Sequence, residues 1–164
     1  MPTDNYAAFL NFVNNKLKFS AYLLFKLPSA WLCGVRVEEI STEKAVVTVP
    51  FKWLSQNPFK STYFACLAMA AELSTGILAM GYTYKSDPTI SMLVTGMQAT
   101  FIKKAAKKVY FICANGLDFS NAVATAKTTG EAVILTARSL GKTKSGETIA
   151  EFEITWSFKA RTKR

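Results

Sequence analysis

The sequence predicts an α+β domain in which an antiparallel sheet wraps one long apolar helix. Three observations carry that expectation. The residues between Lys60 and Lys85 hold a single charge, Glu72, amid Ala, Leu, Met, Ser, Thr and Gly. One amphipathic helical stretch and two extended runs precede them, and four extended runs follow. Strands grouped around one apolar helix point to an α+β layer rather than to alternating βα units.

The N-terminal stretch 4–27 reads as one amphipathic helix capped by Asp4 and ended by Pro28. Phe9, Phe12, Val13, Leu17 and Leu24 recur near helical spacing, with Asn11, Asn14, Asn15 and Lys18 on the other side. Val35 and Val37 then alternate around Arg36, and 38–44 reads as polar turn material. The run 45–53 is a second strand, with Val47, Val49, Phe51 and Trp53 on one face. Residues 56–84 are the central helix and its Asn-Pro entry. A long β-branched strand is expected over 89–103, with Gly96 marking a bulge or a close backbone approach. The run 103–108 is a basic turn and 109–113 another strand. The Ala/Thr-rich segment 118–129 fits either a loop or a short helix. The hairpin 132–139 and 148–159 closes the domain around 141–146. In its last strand Ala150, Phe152, Ile154, Trp156 and Phe158 alternate inward. Residues 160–164 form a basic tail.

Composition narrows the chemistry. Half of the 164 residues are hydrophobic and 13% are aromatic. One domain over 1–164 is expected, burying roughly two-thirds of its unfolded surface. The three cysteines, Cys33, Cys66 and Cys113, are far apart and set in apolar runs. They form neither a disulfide framework nor a metal pattern, and they fit reduced thiols of a cytoplasmic protein. There is no histidine, which removes His-dependent zinc sites and Ser-His-Asp triads. Acid–base chemistry then falls to Asp, Glu, Lys, Tyr or Cys, and no metal is expected.

The net charge of +9 suits nucleic acid, an acidic membrane surface, a phosphate-bearing ligand such as coenzyme A, or merely a basic soluble surface. No aromatic–basic RNA motif or recognition helix accompanies it, which argues against nucleic acid. The start MPTDNYAAF lacks a basic n-region, so no secretory signal is expected. The apolar run 21–35 is short and broken by Lys26 and Pro28, and 61–84 carries Glu72 at its centre. Neither is expected to span a membrane.

A carboxylate in such apolar surroundings costs several kcal/mol unless it is paired, hydrogen-bonded or protonated. Glu72 is therefore either a structural residue with a partner or a catalytic carboxylate on a core helix. The stretch NPFKSTYFACLAMAAELSTG, entered through Asn-Pro and rich in small residues, resembles an uncharacterised thioesterase-like family of hot-dog proteins. The resemblance covers about 30–159, with helix 4–27 added. It implies a hot-dog fold: a curved antiparallel sheet of about six strands around the central helix.

A more distant resemblance is to the phenylacetyl-CoA thioesterase type. That motif has Asn or Gln, then His-Gly-Gly six residues on, then Asp or Glu nine residues after the His. Asn57 and Glu72 match the ends at that spacing, and Tyr63-Phe64-Ala65 replaces His-Gly-Gly.

The resemblance implies Glu72 as general base or nucleophile and Asn57 positioning water or carbonyl. Tyr63, Phe64 and Ala65 would contact substrate, with backbone N–H groups polarising the thioester carbonyl. The implied substrate is an acyl-CoA or related thioester, with coenzyme A as part of the substrate and no other cofactor. A homodimer, or a dimer of dimers, is implied as well, with 89–103 pairing across the two-fold. The alternative is a non-catalytic acyl-CoA or lipid binder that keeps the fold without the machinery. Asn57 also has a purely structural reading as an Asn-Pro turn former. Cys66 fits a small core residue, since no base accompanies it. The lysines at 103, 104, 107 and 108 fit either phosphate contacts or a solvated turn.

Overall fold

The computed structural model describes residues 4–161. Twelve short elements build one sheet and its covering helices. Helices α1 (Asp4–Asn14), α2 (Lys16–Lys26) and α3 (Pro28–Cys33) precede strands β1 (Arg36–Ile40) and β2 (Ala45–Val49). A 3-10 turn (Trp53–Ser55) leads to the central helix α4 (Phe64–Thr83). Then come β3 (Ile90–Phe101), β4 (Val109–Cys113), α5 (Gly116–Thr129), β5 (Val133–Lys142) and β6 (Thr148–Ala160).

The six strands form one sheet in the order β1-β2-β4-β5-β6-β3, and every pair is antiparallel. The sheet curves around α4 in the hot-dog arrangement. The inward residues of β6, Ala150, Phe152, Ile154, Trp156 and Phe158, are all buried, Trp156 against α4 and Phe158 against Phe119 of α5. The strand β3 lies at the sheet edge on β6, and its register shifts between Val94 and Gly96, so of the two readings open for this glycine the bulge is the one observed. Segment 116–129 is a helix, so the open alternative resolves that way. By length and composition α4 would suit a membrane span, yet 67% of its most apolar stretch is buried inside the fold.

Three expectations are corrected. The helix expected over 4–27 is two helices, because Asn15 adopts extended dihedrals (φ −75°, ψ 91°) and its side chain accepts the Lys18 N–H, capping α2. Asparagine competes with the helix for such bonds, which favours caps over helix interiors. The break resets the helical phase. Phe9 and Val13 are buried as expected, whereas Leu17 is 86% exposed and α2 buries Phe19 and Leu23 instead. Pro28 does end α2 but opens α3 at its first turn, where its missing N–H costs nothing. Asp4 is the first residue of α1, in its first turn.

The strand expected over 45–53 stops at Val49. Pro50 follows, and Ser55 Oγ donates to the Pro50 carbonyl (2.6 Å) while accepting the Lys52 N–H (3.0 Å). Trp53 is consequently 79% exposed rather than on the inner face. The turn expected over 38–44 shortens, because β1 runs on to Ile40 through a bulge between Val37 and Glu39. At the other end Ala160 closes β6 and the Arg161 N–H donates to the Thr89 carbonyl (2.8 Å). The rest of the expected basic tail, 162–164, lies outside the described residues.

The start of α5 depends on close backbone approach. A Cβ at Gly116 would fall 2.1 Å from the Thr42 carbonyl oxygen, and the Gly116 N–H donates to the Glu43 carbonyl (3.0 Å). Backbone cannot yield as a flexible side chain does. Gly116→Ala is expected to lower stability by about 2 kcal/mol, read as a fall in the urea midpoint. An unchanged midpoint would show that the 41–44 turn moves freely.

Candidate active site

Two cavities flank α4. The larger, about 840 Å³, opens at the start of the helix. Its floor is the loop 56–63, which is held by its own polar groups. The Asn57 Oδ1 accepts the N–H groups of Phe59 (3.0 Å) and Ser61 (3.2 Å) and the Ser61 hydroxyl (3.2 Å). The Asn57 N–H donates to the Ser61 carbonyl (2.9 Å). The loop is tied to the opposite wall by Thr62, whose N–H (2.8 Å) and hydroxyl (3.0 Å) both donate to the Ala105 carbonyl. Asn57 thus builds the loop, as an Asx turn does, while lining the cleft.

The cleft walls are apolar. Phe59, Tyr63, Phe64, Phe101 and Ile102 line the cleft and all remain exposed. Tyr63 meets Phe64 edge-on (4.8 Å between ring centroids), and Phe64 meets Phe101 (6.5 Å). Phe101 then contacts the buried Phe152 (5.7 Å), so an aromatic chain runs from the cleft into the core. Lys103 and Lys104 stand at the rim, and Lys103 is paired with Glu147 (2.5 Å).

The first turn of α4 faces this cleft uncapped. Tyr63 occupies the cap position in the usual extended conformation but without a side-chain cap bond, lacking the short oxygen-bearing side chain of Ser, Thr, Asp or Asn. The Cys66 and Leu67 N–H groups return to the Tyr63 carbonyl (2.9 and 3.2 Å). Among the described residues the N–H groups of Phe64 and Ala65 find no acceptor. Two unpaired donors at the positive end of a 20-residue helix suit a developing negative charge.

Glu72 lies elsewhere. It is eight residues further along α4, about 12 Å at the helical rise. Its neighbours are a second cavity of about 290 Å³, lined also by Lys26, Leu27, Pro28, Ala30 and Met69. The ceiling of that cavity is the α2–α3 junction. One helical turn on from Glu72 lies the bare Cα of Gly76. A Cβ there would sit 3.3 Å from Glu72 Oε1 and 3.2 Å from the Trp156 ring. Gly76 therefore admits both side chains. The indole is fixed by its Nε1–H, which donates to Thr75 Oγ1 (3.0 Å), and that hydroxyl donates to the Glu72 carbonyl (2.9 Å).

Among the described residues no hydrogen-bond donor or cation reaches the Glu72 carboxylate. Burial raises its pKa above the ordinary carboxylate value, because the charged form loses water without gaining a partner.

The structure therefore gathers Asn57, Tyr63 and Phe64 at one cleft, with Ala65 on the adjoining helical turn, and sets Glu72 in another cavity. Within one chain the two halves do not meet. Sequence reasoning missed the 26–30 cover over Glu72 and the Trp156 wall beside it. Gly76, four residues beyond the acid, was the available signal. Among the described residues no cluster of metal-ligating side chains occurs.

The chain belongs to the family described as Domain of unknown function (DUF4442), which matches residues 15–158. No curated protein matches it. Several solved structures share the fold. A protein of unknown function from Chlorobaculum tepidum superposes with a TM-score of 0.77 at 13% identity, covering 94% of this chain and 99% of that one. A thioesterase from Haemophilus influenzae gives 0.64 at 11% identity, over 92% and 94% of the two chains. A mutant thioesterase from Pseudomonas aeruginosa gives 0.65 at 13%, over 90% and 95%. At these identities the likeness is one of fold.

The raised Glu72 pKa has a signed consequence for stability. The native state binds this proton more tightly than the unfolded chain does. Its contribution is complete below the ordinary value of 4.5 and is lost as pH rises through the raised native value. Glu72→Gln, neutral throughout, is expected to be more stable than the parent at about pH 8 and to converge with it near about pH 4. Urea titrations across that range measure the gap. A gap that stays constant with pH would contradict the burial argument.

Proposed function

We propose that the protein is a thioester hydrolase of the acyl-CoA class, working as a homodimer with water as co-substrate. The observation that carries this reading is Glu72, an unpartnered carboxylate facing a cavity from a core helix, with its pKa raised by burial. A raised pKa makes such a group a stronger base toward water than an ordinary carboxylate. Glu72 would activate water for attack on the thioester carbonyl, or attack it directly to form an acyl-enzyme anhydride that water then cleaves. The free Phe64 and Ala65 N–H groups would receive the developing oxyanion. The aromatic walls of the larger cleft would hold the acyl chain, and Lys104 the phosphates. The Phe64 side chain stands where the related motif has glycine, which narrows the approach and favours a short acyl group.

Because Glu72 and the helix start open to different cavities, the reading shares one site between two protomers. The edge strand β3 supports that pairing. Its outer ladder is free, and Leu93, Met97 and Phe101 are exposed along it, a combination that soluble proteins cover. The thioesterase names carried by the Haemophilus and Pseudomonas neighbours agree with this class. Tyr63-Phe64-Ala65 in place of His-Gly-Gly favours a second reading, a binder of acyl-CoA or lipid without turnover.

The test is hydrolysis of short-, medium-, long-chain and aryl acyl-CoAs by the parent protein, Glu72→Gln and Glu72→Ala. Turnover is expected from the parent and a loss of about 100-fold or more from both variants. Turnover indifferent to both substitutions removes Glu72 from the mechanism. Binding without turnover across the panel leaves the second reading standing. The active species is expected to sediment as a dimer, and activity in a monomer would exclude the shared site.

A further inference from the structure

The cysteine pair beside the larger cleft has no part in that chemistry. Cys33 ends α3 and is half-buried, and Cys66 lies buried in the first turn of α4. Their sulfur atoms are 3.4 Å apart, and the Cys33 thiol reaches the Leu54 carbonyl at 3.5 Å. Three elements meet at this point: the end of α3, the 3-10 turn that leads into the cleft loop, and the start of α4. Cys113, the third thiol, is buried with its own contact to Asn115. Two sulfurs in van der Waals contact need to approach by only about 1.4 Å to reach bonding distance.

We propose that Cys33 and Cys66 are a redox-active dithiol that reacts with low-molecular-weight disulfides to cross-link α3 to the first turn of α4. Cys33, the more accessible sulfur, attacks one sulfur of the small disulfide as its thiolate. A mixed disulfide forms and one small thiol leaves. Cys66 then gives up its proton and displaces the second small thiol, which takes that proton. The two protein sulfurs are oxidised by two electrons in total, and the small disulfide is reduced to two thiols. Burial and the contact with Cys33 push the Cys66 thiol up to about 12, which disfavours it for the first attack, and its position 3.4 Å from the Cys33 sulfur makes the second step intramolecular. Closure removes the Cys33 bond to the Leu54 carbonyl, which releases the turn before the cleft loop, and ties the end of α3 to Cys66, the neighbour of the cleft-lining Leu67.

The test uses the native full chain with oxidised glutathione, followed by denaturation, alkylation and intact mass. The expected product has lost two hydrogens, yields one peptide pair joined through Cys33 and Cys66, and keeps Cys113 alkylatable. It is expected to melt higher than the reduced protein and to revert with dithiothreitol. Cys66→Ser and Cys66→Ala are expected to stop at the Cys33–glutathione adduct, and Cys33→Ser to remain unmodified. A parent protein that stays fully reduced, halts at the mixed disulfide, or links through Cys113 would overturn the proposal. None of these readouts depends on thioester hydrolysis.

Discussion

The helix α4 has no polar side, and the whole architecture follows from the need to enclose it. Twelve of its residues are buried, and each Leu or Ile among them contributes about 1.5–3 kcal/mol when removed from water. A flat sheet covers one face of a helix only. Six antiparallel strands curve around α4, and α1, α3 and α5 complete the enclosure. Close wrapping requires small residues at the contacts. A Cβ at Gly81 would fall 2.5 Å from the Tyr6 ring. Even the buried hydroxyls are matched, with Ser74 and Ser139 2.7 Å apart between helix and strand.

Glu72 is the single charged residue on that helix. Burial withdraws much of the water from its carboxylate, and among the described residues no cation lies within ion-pair distance of it. An ordinary core would use Leu or Met there. The carboxylate instead faces a cavity under the α2–α3 junction and rests on Gly76 against Trp156. Retaining a group that weakens the native state at neutral pH is coherent when the group has chemistry to perform. The uncapped start of the same helix shows the same trait, since backbone donors are left open where a serine or aspartate cap would close them.

Much of the fold was legible because its signals are local. The alternation in β6, the span of β4 and the apolar run of α4 each report their own environment. The errors arose where one polar atom or one ring redirects the chain. Asn15 splits the N-terminal helix by capping its second half, and Pro50 with Ser55 turns the chain before Phe51 and Trp53 can extend β2. The candidate site was legible as residue types but not as a place. The spacing of Asn57, Tyr63 and Glu72 is linear, whereas the cavity that each faces depends on helical phase and on residues 26–30, which belong to a different element. The aromatic wall supplied by Phe101 likewise comes from β3, far away in the chain.

The central claim is that Glu72 acts as a buried base, and the pH dependence of kcat/KM tests it most directly. For hydrolysis of the best acyl-CoA, the account predicts an ascending limb whose midpoint lies above the ordinary carboxylate value of 4.5, and its disappearance in Glu72→Gln. A midpoint at or below that value, or the same limb in the variant, would contradict it.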